Sequence, residues 1–83
     1  MKLFISKPMD ETPGAMWPGT TDGREGWFIR LPDGRVWHTR HRSTNESEGE
    51  WTVTGEAPTL TVTPSINTGT WHGFITNGEL VAA

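Results

Sequence analysis

The chain has 83 residues, no cysteine, five tryptophans and a formal net charge of −3. At this length one small core must stabilise a single domain over residues 1–83, and the lack of cysteine excludes disulfides and thiolate metal sites. The net negative charge argues against nucleic acid as a partner, because general affinity for nucleic acid comes from many Lys and Arg contacts with phosphates.

The first predicted element is a short strand at Leu3-Phe4-Ile5. This apolar run is too short for a signal-peptide core or a membrane span, so we expect a soluble cytoplasmic protein that makes no membrane contact. Residues 8–23 follow, rich in Pro, Gly and Thr. They predict a surface loop in which Met16 and Trp17 fold back against the core.

The rest of the chain carries the alternation and turn residues of β hairpins. Runs 27–31 and 35–39 flank Pro32-Asp33-Gly34, which is typical of a tight turn. Residues 40–50 contain no apolar side chain and predict an exposed linker. Further strands are predicted at 51–54, 59–66 and 71–76, with a turn at Asn77-Gly78 into a last strand at 79–81.

The predicted fold class is mainly β. Ten glycines and six prolines, with no apolar pattern at helical spacing, leave little scope for a long helix. We therefore expect a small single-domain curled antiparallel sheet or open barrel of six to seven short strands.

One hairpin contains a candidate catalytic pair. If residues 67–70 form its loop, Ser65 lies directly opposite His72, with their Cβ atoms about 5 Å apart. A serine hydroxyl can reach an imidazole nitrogen at that separation. The same register gathers the apolar side chains on the opposite face, namely Leu60, Val62, Ile66, Trp71 and Ile75.

The Ser65–His72 pair has two interpretations. As chemistry, Ser65 is a nucleophile and His72 its general base, which also requires a group that orients the imidazole and N–H donors for an oxyanion. As structure, a threonine-rich sheet face satisfies one histidine with a neighbouring hydroxyl. The spacing does not choose among the candidates for the two further roles, which are Glu56, Glu79, Asn67 or Asn77 for orientation and Gly69, Gly73 or Gly78 for the oxyanion.

The second half of the chain contains WTVTG at 51–55, APTL at 57–60, PSI at 64–66 and WHGFITNG at 71–78. Together these segments resemble the DUF6527 family, a domain of unknown function in small bacteriophage and bacterial proteins. The resemblance covers a family-like core at 51–81 and extends more loosely to 26–34.

The resemblance implies a phage or prophage origin and action inside an infected or lysogenic bacterium. Some bacterial relatives accompany ubiquitin-like conjugation operons and have been proposed as peptidases, with nucleophile and base at the positions of Ser65 and His72. Many relatives carry a zinc knuckle in the segment matching 31–38. Only His38 remains there in this chain, so the resemblance implies neither a metal nor another cofactor.

Tryptophan is favoured at binding hot spots, so four tryptophans are candidate partner-binding residues, although core packing is the plainer explanation. An exposed tryptophan would also allow a homodimer. The main prediction is a phage accessory protein that binds a host or phage protein, and the alternative is a minimal serine peptidase acting on an extended chain end. A binding protein requires a flat face with exposed tryptophan. The candidates for this face are Trp27, Trp37, Trp51 and Trp71.

Overall fold

The computed structural model describes residues 1–40 and 51–83. The described residues form eight strands and no helix, so no helix in this part of the chain could cross a membrane. The strands are β1 (Phe4–Ile5), β2 (Ala15–Thr21), β3 (Arg24–Arg30), β4 (Val36–His38), β5 (Thr52–Thr54), β6 (Thr61–Asn67), β7 (His72–Thr76) and β8 (Glu79–Ala82).

The strands form two four-stranded sheets, in the orders β1-β2-β3-β4 and β5-β6-β7-β8. The prediction of a small, mainly β domain is confirmed; the described strands number eight rather than six to seven, and they divide between two sheets. Strands that follow one another in the chain pair with one another, so each half of the chain forms its own sheet. Most of the predicted linker 40–50 lies outside the described residues.

The loop predicted at residues 8–23 is wrong in its second half, because residues 15–21 form β2. This strand pairs with β3 over six positions, from Met16 opposite Ile29 to Thr21 opposite Arg24. The signal that was missed is the Asp22-Gly23 turn. Both residues have positive φ, 50° and 74°, as a two-residue type I′ hairpin requires. The prediction that Met16 and Trp17 are buried is nevertheless confirmed.

Two other predicted hairpins are present. β3 and β4 flank the turn at 32–34 and pair with Ile29 opposite Trp37. β7 and β8 flank Asn77-Gly78, where φ values of 47° and 76° match a type I′ turn. β1 departs from the antiparallel prediction because it pairs with β2 in parallel.

Both sheets bury side chains in one shared hydrophobic core. Alternation sends every second residue of β7 inward, whereas both residues of β1 are exposed and β2 begins with three buried residues in a row. The buried residues of the cluster are Leu3, Met16, Ile29, Leu31, Trp37, Leu60, Val62, Ile66, Ile75 and Leu80.

Trp37 carries a polar atom that the core does not satisfy. Its Nε1 is buried and has no hydrogen-bond partner among the described residues. We expect Trp37→Phe to change the free energy of unfolding by less than about 1 kcal/mol, because the lost ring area is offset by removing an unpaired N–H whose burial costs about 1–3 kcal/mol. Urea denaturation of the two proteins measures the difference. A loss above about 3 kcal/mol, the cost typical of truncating a core aromatic residue, would contradict this account.

Candidate active site

The candidate pair lies on the hairpin formed by β6 and β7. Asn67 is the residue opposite His72, and Ile66 is opposite Gly73, so the predicted direct opposition of Ser65 and His72 is wrong. The difference arises at the loop. The Thr68 N–H donates to the Trp71 carbonyl over 2.9 Å, so the loop consists of residues 69–70 instead of the predicted 67–70. The centre of the loop therefore lies one residue further along the chain.

β6 holds two extra residues beside Ser65. Val62 pairs with Ile75 and Ile66 pairs with Gly73, so β6 advances four residues where β7 advances two. The Thr63–Pro64 peptide bond in this stretch is cis. Because the excess is even, Val62 and Ile66 still point to the same side, and each is only 1% exposed. The irregularity therefore reshapes the outer face without disturbing the core.

Ser65 and His72 meet on this outer face. The Ser65 Oγ and the His72 Nε2 are 2.9 Å apart, an ordinary hydrogen-bond distance. Ser65 lies two residues before the partner of His72, and diagonal cross-strand neighbours are within reach of a long side chain such as histidine. His72 is exposed and Ser65 is half-buried, so the pair is open to solvent.

The groups proposed to orient His72 make other contacts. The Asn67 Oδ1 accepts the Gly69 N–H over 2.9 Å, and Glu79 pairs with the amino group of Met1 at 3.1 Å. Within residues 1–40 and 51–83 the Nδ1 of His72 has no hydrogen-bond partner. The two remaining candidates lie elsewhere, Asn77 beside the hydroxyl of Thr61 and Glu56 in the turn before β6.

The three glycines proposed as oxyanion donors are also engaged. The Gly78 N–H donates to the Leu60 carbonyl over 2.8 Å, and the Gly69 N–H donates to Asn67. Gly73 is paired on both sides within the sheet, with Ile66 and with Ala82. An oxyanion donor at this site would therefore have to come from another amide.

A carboxylate from the first sheet holds the loop before His72. The Oδ2 of Asp33 accepts hydrogen bonds from the hydroxyls of Thr68 and Thr70, each over 2.6 Å, and its Oδ1 accepts the Arg35 N–H over 2.9 Å. Only 8% of the Asp33 side chain is exposed. Burial works to raise the pKa of Asp33, but the hydrogen bonds from Thr68, Thr70 and Arg35 outweigh it and hold the pKa below its usual value.

The role of Asp33 was not foreseen. From the sequence it was only the middle residue of a hairpin turn. Its hydroxyl partners are 35 and 37 residues further along the chain, a separation at which no local pattern connects them.

The four candidate binding tryptophans do not form a flat exposed face. Trp37 is 5% exposed and belongs to the core, while Trp27, Trp51 and Trp71 are half-buried against it. Large aromatic side chains supply the apolar area that a small core needs. Trp27 also lines an open depression of about 560 Å³ on the first sheet, with Pro18, Gly19, Thr20, Glu25 and Gly26.

His38 has a structural role. It is 1% exposed, its Nε2 lies 2.9 Å from the Gly19 carbonyl oxygen, and its Nδ1 accepts the Arg40 N–H over 2.9 Å. The described residues contain no group of three or more His, Cys, Asp or Glu side chains arranged to hold a metal ion.

The Ser65–His72 pair on this small all-β domain supplies two of the groups that a serine protease uses, a nucleophile and a base. A family model, described as bacterial ubiquitination-like system serine protease (BubE), matches residues 7–83. No curated protein and no solved structure gives a significant match. Because the match spans most of both sheets, the chain belongs to the BubE family.

This membership corrects the resemblance drawn from the sequence. The assignment to DUF6527, with the phage origin and accessory role that followed, is wrong, because the matching family is that of a bacterial ubiquitination-like system. The resemblance rested on short segments within 51–81. The family model also covers β2, β3 and β4 of the first sheet, where the resemblance extended only loosely, over 26–34.

Proposed function

We propose that this protein is a serine peptidase of a bacterial ubiquitination-like system, with Ser65 as nucleophile and His72 as general base. The observation that carries the proposal is the 2.9 Å contact between Ser65 Oγ and His72 Nε2. The printed description of the BubE family as a serine protease supports the same reaction class. The substrate would be an extended segment of a protein partner, lying across the open outer face of the second sheet.

The reaction requires Ser65 to be the donor in the hydrogen bond between Ser65 Oγ and His72 Nε2. His72 acts with its proton on Nδ1, so that Nε2 accepts the proton of Ser65 Oγ as that oxygen attacks the scissile carbonyl. The protonated imidazole then gives this proton to the leaving amine when the C–N bond breaks, which leaves an acyl ester on Ser65. Water, deprotonated by the same nitrogen, hydrolyses the ester and restores the serine.

The first test is covalent labelling by a fluorophosphonate, which bonds to an activated serine oxygen and releases fluoride. We expect one phosphonyl group per chain by intact mass, located on Ser65 by peptide mapping and absent from Ser65→Ala. Ser6 is the internal control, because its hydroxyl donates to the carboxylate of Asp10 and faces no imidazole. No labelling of the wild-type protein, or equal labelling of Ser6, would refute the proposal.

A further inference from the structure

Trp51 contacts the backbone of the candidate nucleophile. Its indole Nε1 donates a hydrogen bond to the carbonyl oxygen of Ser65 over 3.2 Å. Trp51 immediately precedes β5, whose pairing with β6 ends at Thr52 opposite Thr63. The indole N–H therefore satisfies the Ser65 carbonyl just beyond the point where strand pairing stops.

Ser65 needs such a contact because the sheet does not fix it. It is absent from the register with β5, which ends at Thr63, and from the register with β7, which resumes at Ile66. In a regular ladder the neighbouring strands set where a side chain points. Here the hydrogen bond from Trp51 holds the Ser65 carbonyl, and the hydrogen bond with His72 holds its hydroxyl.

The indole of Trp51 is itself held in place. It packs half-buried against the core and meets Trp37 edge to face, with ring centroids 5.5 Å apart and an angle of 86° between the planes. Trp37 is 5% exposed, so the surface against which Trp51 rests is part of the core. A ring fixed in this way directs its N–H at one point, which is the requirement for positioning a reactive group within a fraction of an ångström.

We propose that Trp51 is a positioning residue for Ser65, an inference that rests on the proposed peptidase function. Its N–H fixes the carbonyl of Ser65 and so keeps the Oγ within hydrogen-bond distance of His72 Nε2. Trp51 moves no proton and contacts no reacting atom. This role differs from the partner-binding role predicted for Trp51 from the sequence.

The test is the rate of fluorophosphonate labelling of Trp51→Phe, which keeps an aromatic ring and removes the N–H. We expect the second-order rate constant to fall about five- to tenfold, the factor that one lost hydrogen bond represents. The pH dependence of the rate should keep its wild-type midpoint, because His72 is unchanged. Replacing Trp51 with 3-benzothienylalanine, which has sulfur in place of the N–H, should give the same decrease with the ring size retained.

Trp17→Phe is the matched control for lost packing, because Trp17 is buried in the first sheet and stacks on Phe28. It should lower the melting temperature while Ser65 labels at the wild-type rate. A wild-type rate for Trp51→Phe, or an equal decrease in Trp17→Phe, would overturn the positioning role alone. Failure of the wild-type protein to label would instead overturn the peptidase function on which that role depends.

Discussion

Replacing His72 with alanine is expected to slow the labelling of Ser65 by a fluorophosphonate about 10²- to 10⁴-fold, the range that general base catalysis contributes. Without the imidazole, the hydroxyl must lose its proton to water as its oxygen attacks. No other residue described in this structure is hydrogen-bonded to the Ser65 hydroxyl. Ser65→Ala, which has no hydroxyl to label, gives the background against which the remaining rate of His72→Ala is measured.

The effect is measured by following the labelling of wild type and His72→Ala by intact mass at several probe concentrations, which gives the second-order rate constant of each protein. Thr76→Ala is a suitable control, because Thr76 is the exposed last residue of the same strand, at the end opposite His72. It should label at the wild-type rate. Added imidazole should restore part of the lost rate in His72→Ala, by supplying the missing base. Labelling of His72→Ala at the wild-type rate would show that the 2.9 Å contact is only structural.

The second large effect is expected for Asp33→Asn, which should lower the free energy of unfolding by about 2–3 kcal/mol, because hydrogen bonds to a charged acceptor contribute about 1.5–3 kcal/mol each. The amide keeps one acceptor oxygen and has no charge, and its nitrogen cannot accept the hydrogen bonds that the second carboxylate oxygen accepts. The loop between β6 and β7 then loses its two hydrogen bonds to Asp33, and of its hydrogen bonds to the first sheet the 3.4 Å contact from the Arg35 guanidinium to the Thr68 carbonyl remains. Labelling of Ser65 should also slow, since His72 follows this loop.

The pH dependence of the free energy of unfolding distinguishes the loss of the charged Asp33 carboxylate from a general destabilisation of the fold by the substitution. The pKa of Asp33 is lowered in the folded state, so its contribution is complete above its unfolded pKa of about 4 and is lost as the pH falls from there toward the folded value. Urea denaturation at pH 7 and at pH 3 should therefore show a smaller difference between Asp33→Asn and wild type at pH 3. A difference that does not change with pH would contradict the assignment.

A second carboxylate, that of Asp10, also has a lowered pKa and is present in both proteins. Hydrogen bonds from the Ser6 hydroxyl and the Thr12 N–H lower the pKa of Asp10 to about 2. Its contribution to acid sensitivity is therefore the same in wild type and in Asp33→Asn. The comparison between the two proteins isolates Asp33.

Local signals in the sequence predicted the hairpins well. Asn77-Gly78 and the turn at 32–34 are short-range patterns, because two or three residues determine the backbone there. Of the five residues that alternation placed on the inward face, Leu60, Val62, Ile66 and Ile75 are buried as predicted, and Trp71 is half-buried against the core. β2 was missed because Pro18 and Gly19 have low strand propensity and were given more weight than the Asp22-Gly23 turn that pairs β2 with β3.

In the candidate site, too, features set by the local sequence were predicted, and features set by contacts between distant residues were not. The Ser65–His72 contact was predicted, although from a register that the structure corrects. The shift depends on a hydrogen bond across the loop and on two extra residues in β6, and neither produces a periodic signal. Asp33 and Trp51 act on the site across 35 and 14 residues of sequence, so their contributions are visible only once the sheets are assembled.

The irregular stretch of β6 has a consequence for how such a site can evolve. Removing two residues between Val62 and Ile66 would leave one residue opposite Phe74, and both core partners, Ile75 and Gly73, would be kept. The sheet could thus be completed by a shorter chain with the same interior. Ser65 belongs to a segment that the core does not require, so selection can alter its chemistry while the rest of the architecture is inherited unchanged.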